Sequence, residues 1–179
     1  MEWLELSEKM MHYILEHFYD SRSSMFFFTS DLDPKLVARK MEVHDDVVPA
    51  SNSVLANSLF DLGVIRANNK YKNMAASILN NIKPKMDSYF TSYANYANLL
   101  LKYTKPFYEV VITGQDAFKK SIKINNFYSP NKLLIGGDNS NYIPLLKGKK
   151  SNNLFYYICE DGLCKQPTSD IKEAINLLQ

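Results

Sequence analysis

The spacing of apolar residues changes once along this chain, at Pro106, and that change limits the folds available to it. Up to residue 105, apolar side chains recur every three or four residues, the period of an α-helix that packs one face against a core. After Pro106 comes YEVVI, residues 108–112, a run rich in β-branched residues that Thr113 and Gly114 close as a turn. This switch predicts helices over residues 1–105 and a small α/β unit over residues 106–179.

Four helices are expected in the first part, over residues 3–19, 53–65, 68–83 and 86–103. The first helix places one apolar set on a single face: Trp3, Leu6, Met10, Tyr13, Ile14 and Phe18. Pro84 is expected to end or bend the third helix, because proline lacks the N–H that a continuing helix needs. The fourth carries a tyrosine stripe, which fits either a helix–helix contact or the lining of a sugar-binding groove.

The second part predicts a strand over residues 108–112, a helix over 115–124 and a strand over 132–135. This order and length are typical of a βαβ unit with a parallel pair. A third strand is expected over residues 153–158, and a last helix over 168–178 with Thr168 or Ser169 as its N-cap. The predicted fold class is mixed α and α/β, with helical hairpins followed by a small three-stranded βαβ-type unit.

Charge and composition exclude several functional classes. The 179 residues carry a formal net charge of +2, too small to indicate a nucleic-acid partner. No apolar run approaches the ~20 residues needed to span a bilayer, so no membrane partner is expected. The N-terminal stretch MEWLELSEKM does not resemble a secretory signal, and two cysteines are too few for a disulfide framework. These features favour a cytoplasmic location.

The stretch EVHDDVVPASNS, residues 42–53, concentrates polar side chains just before the second predicted helix. In one interpretation, Ser51 or Asn52 caps that helix and the carboxylates interact favourably with its dipole. In the other, Glu42 and Asp45 are paired carboxylates for general acid–base or glycosidic chemistry, which needs carboxyl groups roughly 5–9.5 Å apart. Sequence spacing alone leaves both interpretations open.

The stretch CEDGLC, residues 159–164, is a second candidate site. Asp161-Gly162 is typical of a two-residue hairpin turn, which makes Cys159 and Cys164 face each other as a non-hydrogen-bonded pair. Their Cα atoms would then lie about 4.5 Å apart, which allows a reversible disulfide. The alternative is two thiols, the state that a reducing cytosol favours.

No metal or cofactor is predicted. Zinc usually takes four ligands, and no further cysteine or nearby histidine accompanies Cys159 and Cys164. Gly114 follows a strand, but GQDAFK lacks the glycine spacing of a dinucleotide fingerprint, and Asp116 would repel a phosphate.

Three motifs occur in order along nearly the whole chain. They are FFFTSD (26–31) with LVARKMEVHDDVVPASNSVLANSLFDLG (36–63), then EVVITG (109–114), then Tyr157-Ile158-Cys159 with Cys164 and Pro167. Together they resemble a family of thioredoxin-domain-containing proteins that includes the spermatogenesis-associated thioredoxin-like proteins. In the first motif Glu42, Asp45, Pro49, Asn52 and Ser53 match the family pattern, whereas Met41, Asp46 and Ala50-Ser51 replace a lysine, a glycine and Ser-Gly.

The resemblance implies a larger architecture. Members of that family begin with a thioredoxin-like domain and continue into an α/α toroid similar to six-hairpin glycosidases and sugar 2-epimerases. Residues 1–105 would then be the last hairpins of an incomplete toroid, in a C-terminal fragment that lacks the thioredoxin-like domain. We expect the hydrophobic edge of such a toroid to be covered by a second copy of the chain, as a homodimer.

The resemblance also implies a site, because toroid enzymes hold catalytic groups on loops where helices begin. Glu42 and Asp45 are candidate catalytic residues, and Asn52, Ser53 and Phe27 are candidate substrate-binding residues for a carbohydrate. His44 is outside the family pattern, which weighs against an epimerase that relies on histidines. The alternative function is a thiol-redox or noncatalytic interaction module, in which Cys159 and Cys164 serve the thioredoxin-like domain.

Overall fold

A computed structural model of the protein describes residues 2–34, 37–137, 143–149 and 151–178. The chain divides into two compact units, one formed by Met1–Gly63 and Asn69–Leu100 and the other by Val64–Asn68 and Leu101–Gln179. The described residues form six α-helices and two small sheets, so the fold is mixed α and β, as the sequence predicts. The motif residue Leu36 lies outside the described residues.

The first unit is mainly helical. It contains α1 (Glu2–His17), α3 (Asn69–Met86) and most of α2 (Ser51–Ile65) and α4 (Ala94–Thr104), with a 3-10 turn over Phe90–Tyr93 before α4. Its core consists of large apolar side chains that are fully buried, among them Phe26, Leu59, Ile78, Ile82, Tyr96 and Leu99. Burial of such side chains is the main force that holds short helices together.

Two helix boundaries differ from the prediction. The helix α3 continues to Met86, with Pro84 inside its last turn, so the expected end at Pro84 is wrong. Proline lacks one N–H and crowds the carbonyl four residues earlier, but only two residues of the helix follow Pro84, so little of the helix is affected. The predicted helix over 86–103 begins instead as the 3-10 turn, so Tyr89 is exposed while Tyr93 and Tyr96 are buried.

The apolar face predicted for α1 packs only in part, since Ile14 and Phe18 are half-buried and the other four residues are exposed. Trp3, Leu6, Met10 and Tyr13 are 43–79 % exposed, whereas Met11, on another side of the helix, is 3 % exposed. The helix is therefore apolar on two sides. An exposed stripe of four large apolar side chains is unusual on a helix surface.

A two-stranded antiparallel hairpin follows α1 and is not predicted by the sequence. It pairs β1 (Tyr19–Asp20) with β2 (Met25–Phe26). Strands of two residues are too short to show the alternation by which strands are recognised. Both residues of β2 are buried, and this strand leads into Phe27 of the candidate site.

The second unit contains a four-stranded sheet in the order β4-β3-β5-β6. Its strands are β3 (Tyr108–Thr113), β4 (Lys132–Gly136), β5 (Phe155–Glu160) and β6 (Leu163–Cys164). The helix α5 (Ala117–Asn125) connects β3 to β4, and these two strands are parallel, which confirms the predicted βαβ unit. The other two pairs are antiparallel, and β6 makes the sheet four-stranded where the sequence predicts three strands.

One face of this sheet forms the core of the second unit together with α5 and α6 (Ile171–Asn176). The buried set includes Tyr108, Val110, Ile112, Ile124, Tyr156, Ile158 and Ala174. Because side chains alternate along a strand, Glu109 and Val111 point to the opposite face. The N-cap of α6 is Asp170, whose carboxylate accepts a 2.8 Å hydrogen bond from the N–H of Lys172, so the caps predicted at Thr168 or Ser169 are wrong.

Among the described residues, no helix combines the length and the apolar character that crossing a bilayer requires.

Candidate functional site

Asp45 is buried, at 8 % exposure, and its carboxylate accepts three hydrogen bonds from the protein. Its Oδ1 accepts hydrogen bonds from the N–H of Ala50 at 3.0 Å and from the hydroxyl of Ser53 at 2.5 Å. Its Oδ2 accepts a 2.9 Å hydrogen bond from the N–H of Asn95, at the start of α4. Burial raises the pKa of Asp45, but the hydrogen bonds from Ser53, Asn95 and Ala50 together outweigh it, and the pKa is lowered overall.

Asn52 and Ser53 are fully buried in the first turn of α2, so the predicted cap at Ser51 or Asn52 is wrong. The side-chain amide of Asn52 forms hydrogen bonds with backbone groups earlier in the chain. Its Oδ1 accepts a 2.8 Å hydrogen bond from the N–H of Phe26. Its Nδ2 donates to the carbonyls of Phe26 at 2.8 Å and Glu42 at 2.9 Å. One side chain thus pairs with β2 as a neighbouring strand would, and it fixes the loop at Glu42 beside β2.

Glu42, unlike Asp45, is exposed. Its Oε2 accepts a 3.2 Å hydrogen bond from the N–H of Ser51, at the start of α2. Its Oε1 accepts no hydrogen bond from any residue that the structure describes. Of the two candidate carboxylates, Glu42 can therefore meet a ligand, whereas Asp45 is committed to the fold.

Phe27 lies close to Glu42. The N–H of the next residue, Phe28, donates a 2.8 Å hydrogen bond to the carbonyl of Lys40, so residues 26–28 run beside residues 40–42. The guanidinium carbon of Arg39 lies 4.1 Å from the centre of the Phe27 ring, a cation–π contact. Asn52 thus joins the backbone at Glu42 to that at Phe26, the residue before Phe27, and the assignment of these residues to a ligand site stays a prediction.

Tyr96 belongs to the predicted tyrosine stripe, which fits either a helix–helix contact or the lining of a sugar-binding groove. Burial raises the pKa of its hydroxyl, and the charges of Asp45 and Glu42 add to that effect. The hydroxyl is therefore within electrostatic reach of both carboxylates. Neither this hydroxyl nor that of Ser51 has a hydrogen-bond partner among the residues that the structure describes, although both oxygens are buried.

Cys159 and Cys164 form a disulfide that joins β5 to β6. They are directly opposite each other, with Cα atoms 3.8 Å apart, and Glu160 pairs with Leu163 next to the turn, as the sequence predicts. Asp161 and Gly162 both have positive φ, 47° and 78°, as a type I′ turn requires. Cys159 is fully buried and Cys164 is exposed.

Glu109 lies beside the disulfide and was missed by the sequence analysis. It is directly opposite Cys159 on the neighbouring strand β3 and is 5 % exposed. Its Oε2 accepts a 2.9 Å hydrogen bond from the N–H of Gly162, in the turn between the two cysteines. Only the register of β3 against β5 reveals this proximity, since the residues are 50 positions apart.

A cavity of about 390 Å³ lies where β4 ends and α5 begins. It is lined by Asp116, Ala117, Phe118, Ser121, Leu134, Ile135, Gly136 and Gly137. Asp116 precedes α5 in a left-handed conformation, with φ of 62°, and its negative charge opposes phosphate binding at this helix start.

No protein-family model matches the chain, and no curated protein matches it at a significant level. Among the described residues, no group of three or more histidine, cysteine, aspartate or glutamate side chains is arranged to hold a metal ion.

Proposed function

We propose that the second unit acts as a thiol–disulfide module, in a chain related to the thioredoxin-domain-containing family. The observation that carries this proposal is the Cys159–Cys164 disulfide, in which one residue is exposed and the other is fully buried. Thiol–disulfide exchange depends on which sulfur an external thiolate reaches. Because Cys164 is the accessible residue, this arrangement supports attack by an external thiolate on the sulfur of Cys164 rather than on that of Cys159.

Exchange with a dithiol, which the family's thioredoxin-like domain would supply, transfers two electrons. A thiolate of the dithiol attacks the sulfur of Cys164, the S–S bond breaks, and Cys159 leaves with the electron pair and takes a proton. The second thiol then loses its proton and attacks the mixed disulfide, and Cys164 leaves and is protonated. The chain gains two electrons and two protons, and the partner becomes a disulfide.

Alkylation followed by mass spectrometry tests this function. Without reductant we expect no alkylated cysteine. After dithiothreitol we expect both Cys159 and Cys164 to be alkylated, and on addition of oxidised glutathione we expect the disulfide to form again. The proposal would be contradicted by a disulfide that dithiothreitol does not reduce in the folded chain, or by cysteines that remain reduced with oxidised glutathione. The variant Cys164→Ser, which leaves only the buried thiol, serves as the control for access.

A second candidate function, carbohydrate binding by the first unit as part of an incomplete α/α toroid, is favoured by the geometry at Glu42. Glu42 carries an exposed carboxylate on a loop that Asn52 and Asp45 hold in place, and the backbone of this loop runs beside the segment that carries Phe27. Pre-organised polar groups next to an apolar surface are typical of ligand sites. In this proposal Glu42 and Phe27 contact the sugar, and Asp45, Asn52 and Ser53 position the loop.

Thermal unfolding with a panel of mono- and disaccharides tests this second function. A sugar at 100 times its dissociation constant should stabilise the chain by about 2.7 kcal/mol, a shift of several degrees. Glu42→Gln should abolish the shift and leave the unliganded melting temperature nearly unchanged, because its one hydrogen bond is exposed. Asp46→Asn, an exposed carboxylate of the same loop, should keep the shift. A cooperative transition that no sugar shifts would refute the assignment.

A further inference from the structure

Three side chains from three adjacent strands form a row on one face of the second unit's sheet. Glu109 of β3 is directly opposite Cys159 of β5, and Cys159 is directly opposite Cys164 of β6. Side chains directly opposite each other in antiparallel strands have Cβ atoms about 4.5–5.5 Å apart. The side chain of Glu109 is therefore next to that of the buried Cys159, with the exposed Cys164 beyond it.

The burial of Glu109 calls for an explanation. The other five residues of β3 are also buried and carry no charge, so a carboxylate in this strand is costly unless something compensates it. One compensation is the hydrogen bond from Gly162, which ties the carboxylate to the turn between the cysteines. This contact holds the carboxylate at the hairpin, on the side of the sheet where the disulfide lies.

Other titratable groups face Glu109 as well. Burial lowers the pKa of Lys149, and the charge of Glu109 acts against that shift, so the two groups interact. The Lys149 ammonium also lies 5.6 Å from the ring centre of Tyr157, which is on the same face of β5 as Cys159. Asp161 precedes Gly162 in the turn, and the N–H of Gly162 donates to the Glu109 carboxylate.

We propose that Glu109 accepts the proton of Cys159 when the reduced hairpin forms its disulfide again. This inference rests on the thiol–disulfide function proposed above. The thiolate, not the thiol, is the nucleophile, and a thiol buried in apolar surroundings loses its proton reluctantly. Cys159 is fully buried, so solvent bases reach it poorly, whereas Glu109 is its direct neighbour.

The oxidation with an external disulfide then has two steps. The thiolate of Cys164 attacks the external disulfide, forms a mixed disulfide and releases the first external thiolate. Cys159 next gives its proton to the Glu109 carboxylate while its sulfur attacks the sulfur of Cys164, and the second external thiolate leaves with the electron pair. The proton on Glu109 passes to solvent, the hairpin has lost two electrons and two protons, and the external disulfide has become two thiols.

The test uses the full chain, reduced with dithiothreitol, freed of it, and mixed with oxidised glutathione at several pH values. Samples are quenched by alkylation and weighed by mass spectrometry, which separates the dithiol, the glutathione adduct and the closed disulfide. We expect Glu109→Gln to slow the second step roughly a hundredfold, so that the adduct on Cys164 accumulates. The matched control is Glu160→Gln, a carboxylate in the same hairpin whose side chain points to the opposite face of the sheet, and it should behave as wild type.

Two further observations keep the result unambiguous. Glu109→Asp retains a carboxylate at this position and should close faster than Glu109→Gln, with circular dichroism confirming that both variants fold. If Glu109→Gln forms the disulfide at the wild-type rate without accumulating an adduct, Glu109 does not have the proposed role. Equal slowing in Glu109→Asp and Glu109→Gln would also overturn that role, because it would indicate lost packing. A wild-type chain that never closes would instead overturn the thiol–disulfide function itself.

Discussion

The carboxylate of Asp45 accepts a 2.9 Å hydrogen bond from the backbone N–H of Asn95, fifty residues further along the chain. Its other oxygen accepts from the N–H of Ala50, next to the start of α2. Helix starts leave N–H groups without partners inside the helix and carry a partial positive charge. One buried anion therefore serves the starts of two helices, and residues 42–53 fix α2 and α4 to each other.

Replacing Asp45 should be costly for stability. In Asp45→Asn the amide cannot accept all three hydrogen bonds, and its NH₂ group faces N–H donors. We expect a loss of about 3 kcal/mol in the free energy of unfolding, measured by urea denaturation. Asp46→Asn, the exposed neighbour, should change it by less than about 0.5 kcal/mol. Equal effects of the two variants would refute the role assigned to Asp45.

The same carboxylate should make stability depend on pH. The pKa of Asp45 is lowered in the folded chain, so its ionised form contributes stability that is fully present above the unfolded-state pKa. That contribution is lost as the pH falls through the lower, folded-state value. The stability difference between wild type and Asp45→Asn should be constant near pH 7 and shrink between about pH 5 and pH 2. A difference that does not change over this range would contradict the assignment.

Asn52→Asp tests the amide that binds β2. The Nδ2 of Asn52 donates to the carbonyls of Phe26 and Glu42, and a carboxylate oxygen there would repel both. We expect a loss of at least about 2 kcal/mol in the free energy of unfolding, by urea or thermal denaturation. The control is Asn73→Asp, an exposed substitution in α3, which should be nearly neutral. A neutral Asn52→Asp would show that β2 does not depend on this amide.

Gly114→Ala tests the close approach between the end of β3 and the chain before β5. Gly114 has φ of 91°, and a Cβ there would collide with the carbonyl of Asn153. We expect a loss of more than about 3 kcal/mol, because backbone must move and a strained φ must be kept. Gly148→Ala, with φ of 75° and open space around the added carbon, should lose only about 1 kcal/mol. Similar losses in the two variants would mean that strain in φ, not the collision, decides the cost.

The exposed stripe on α1 should make the chain self-associate. Trp3 and Met10 are 79 % and 57 % exposed on one side of the helix, an arrangement that another apolar surface stabilises by covering it. We expect the mass of a homodimer in sedimentation equilibrium, and the mass of a monomer after Trp3→Lys with Met10→Lys. His12→Lys, on the polar side of the same helix, should leave the dimer intact. A monomeric wild type at high concentration would exclude the homodimer.

Local patterns in the sequence predict much of this fold. The apolar period of α3, the β-branched run of β3 and the Asp161-Gly162 turn each determine structure through neighbouring residues, and each is confirmed. The periodicity of α1 is also real, but the helix is apolar on two sides. Only the packing of the rest of the unit decides that Met11 is buried and Trp3 is not.

The parts that sequence reasoning missed depend on residues far apart in the chain. The pairing of Asp45 with Asn95 and the row from Glu109 to Cys164 arise from helix placement and strand register, which no local spacing encodes. Asn52 is a further case in which local sequence does not predict the hydrogen-bond partner. Its residue type suits a helix cap, yet the free backbone groups of β2 are a better partner for its amide than its own helix is.

The strand β6 has only two residues, and it covers the outer side of β5 at Cys159 and Glu160. Two ladder pairs hold such a short strand weakly, and the disulfide and the 2.9 Å hydrogen bond from the N–H of Lys165 to the carbonyl of Ile158 add to them. Reduction would let β6 detach and leave backbone N–H and C=O groups of β5 open to pairing with another extended chain. The redox state of this hairpin would then decide whether the sheet ends at β6 or accepts a strand from a partner.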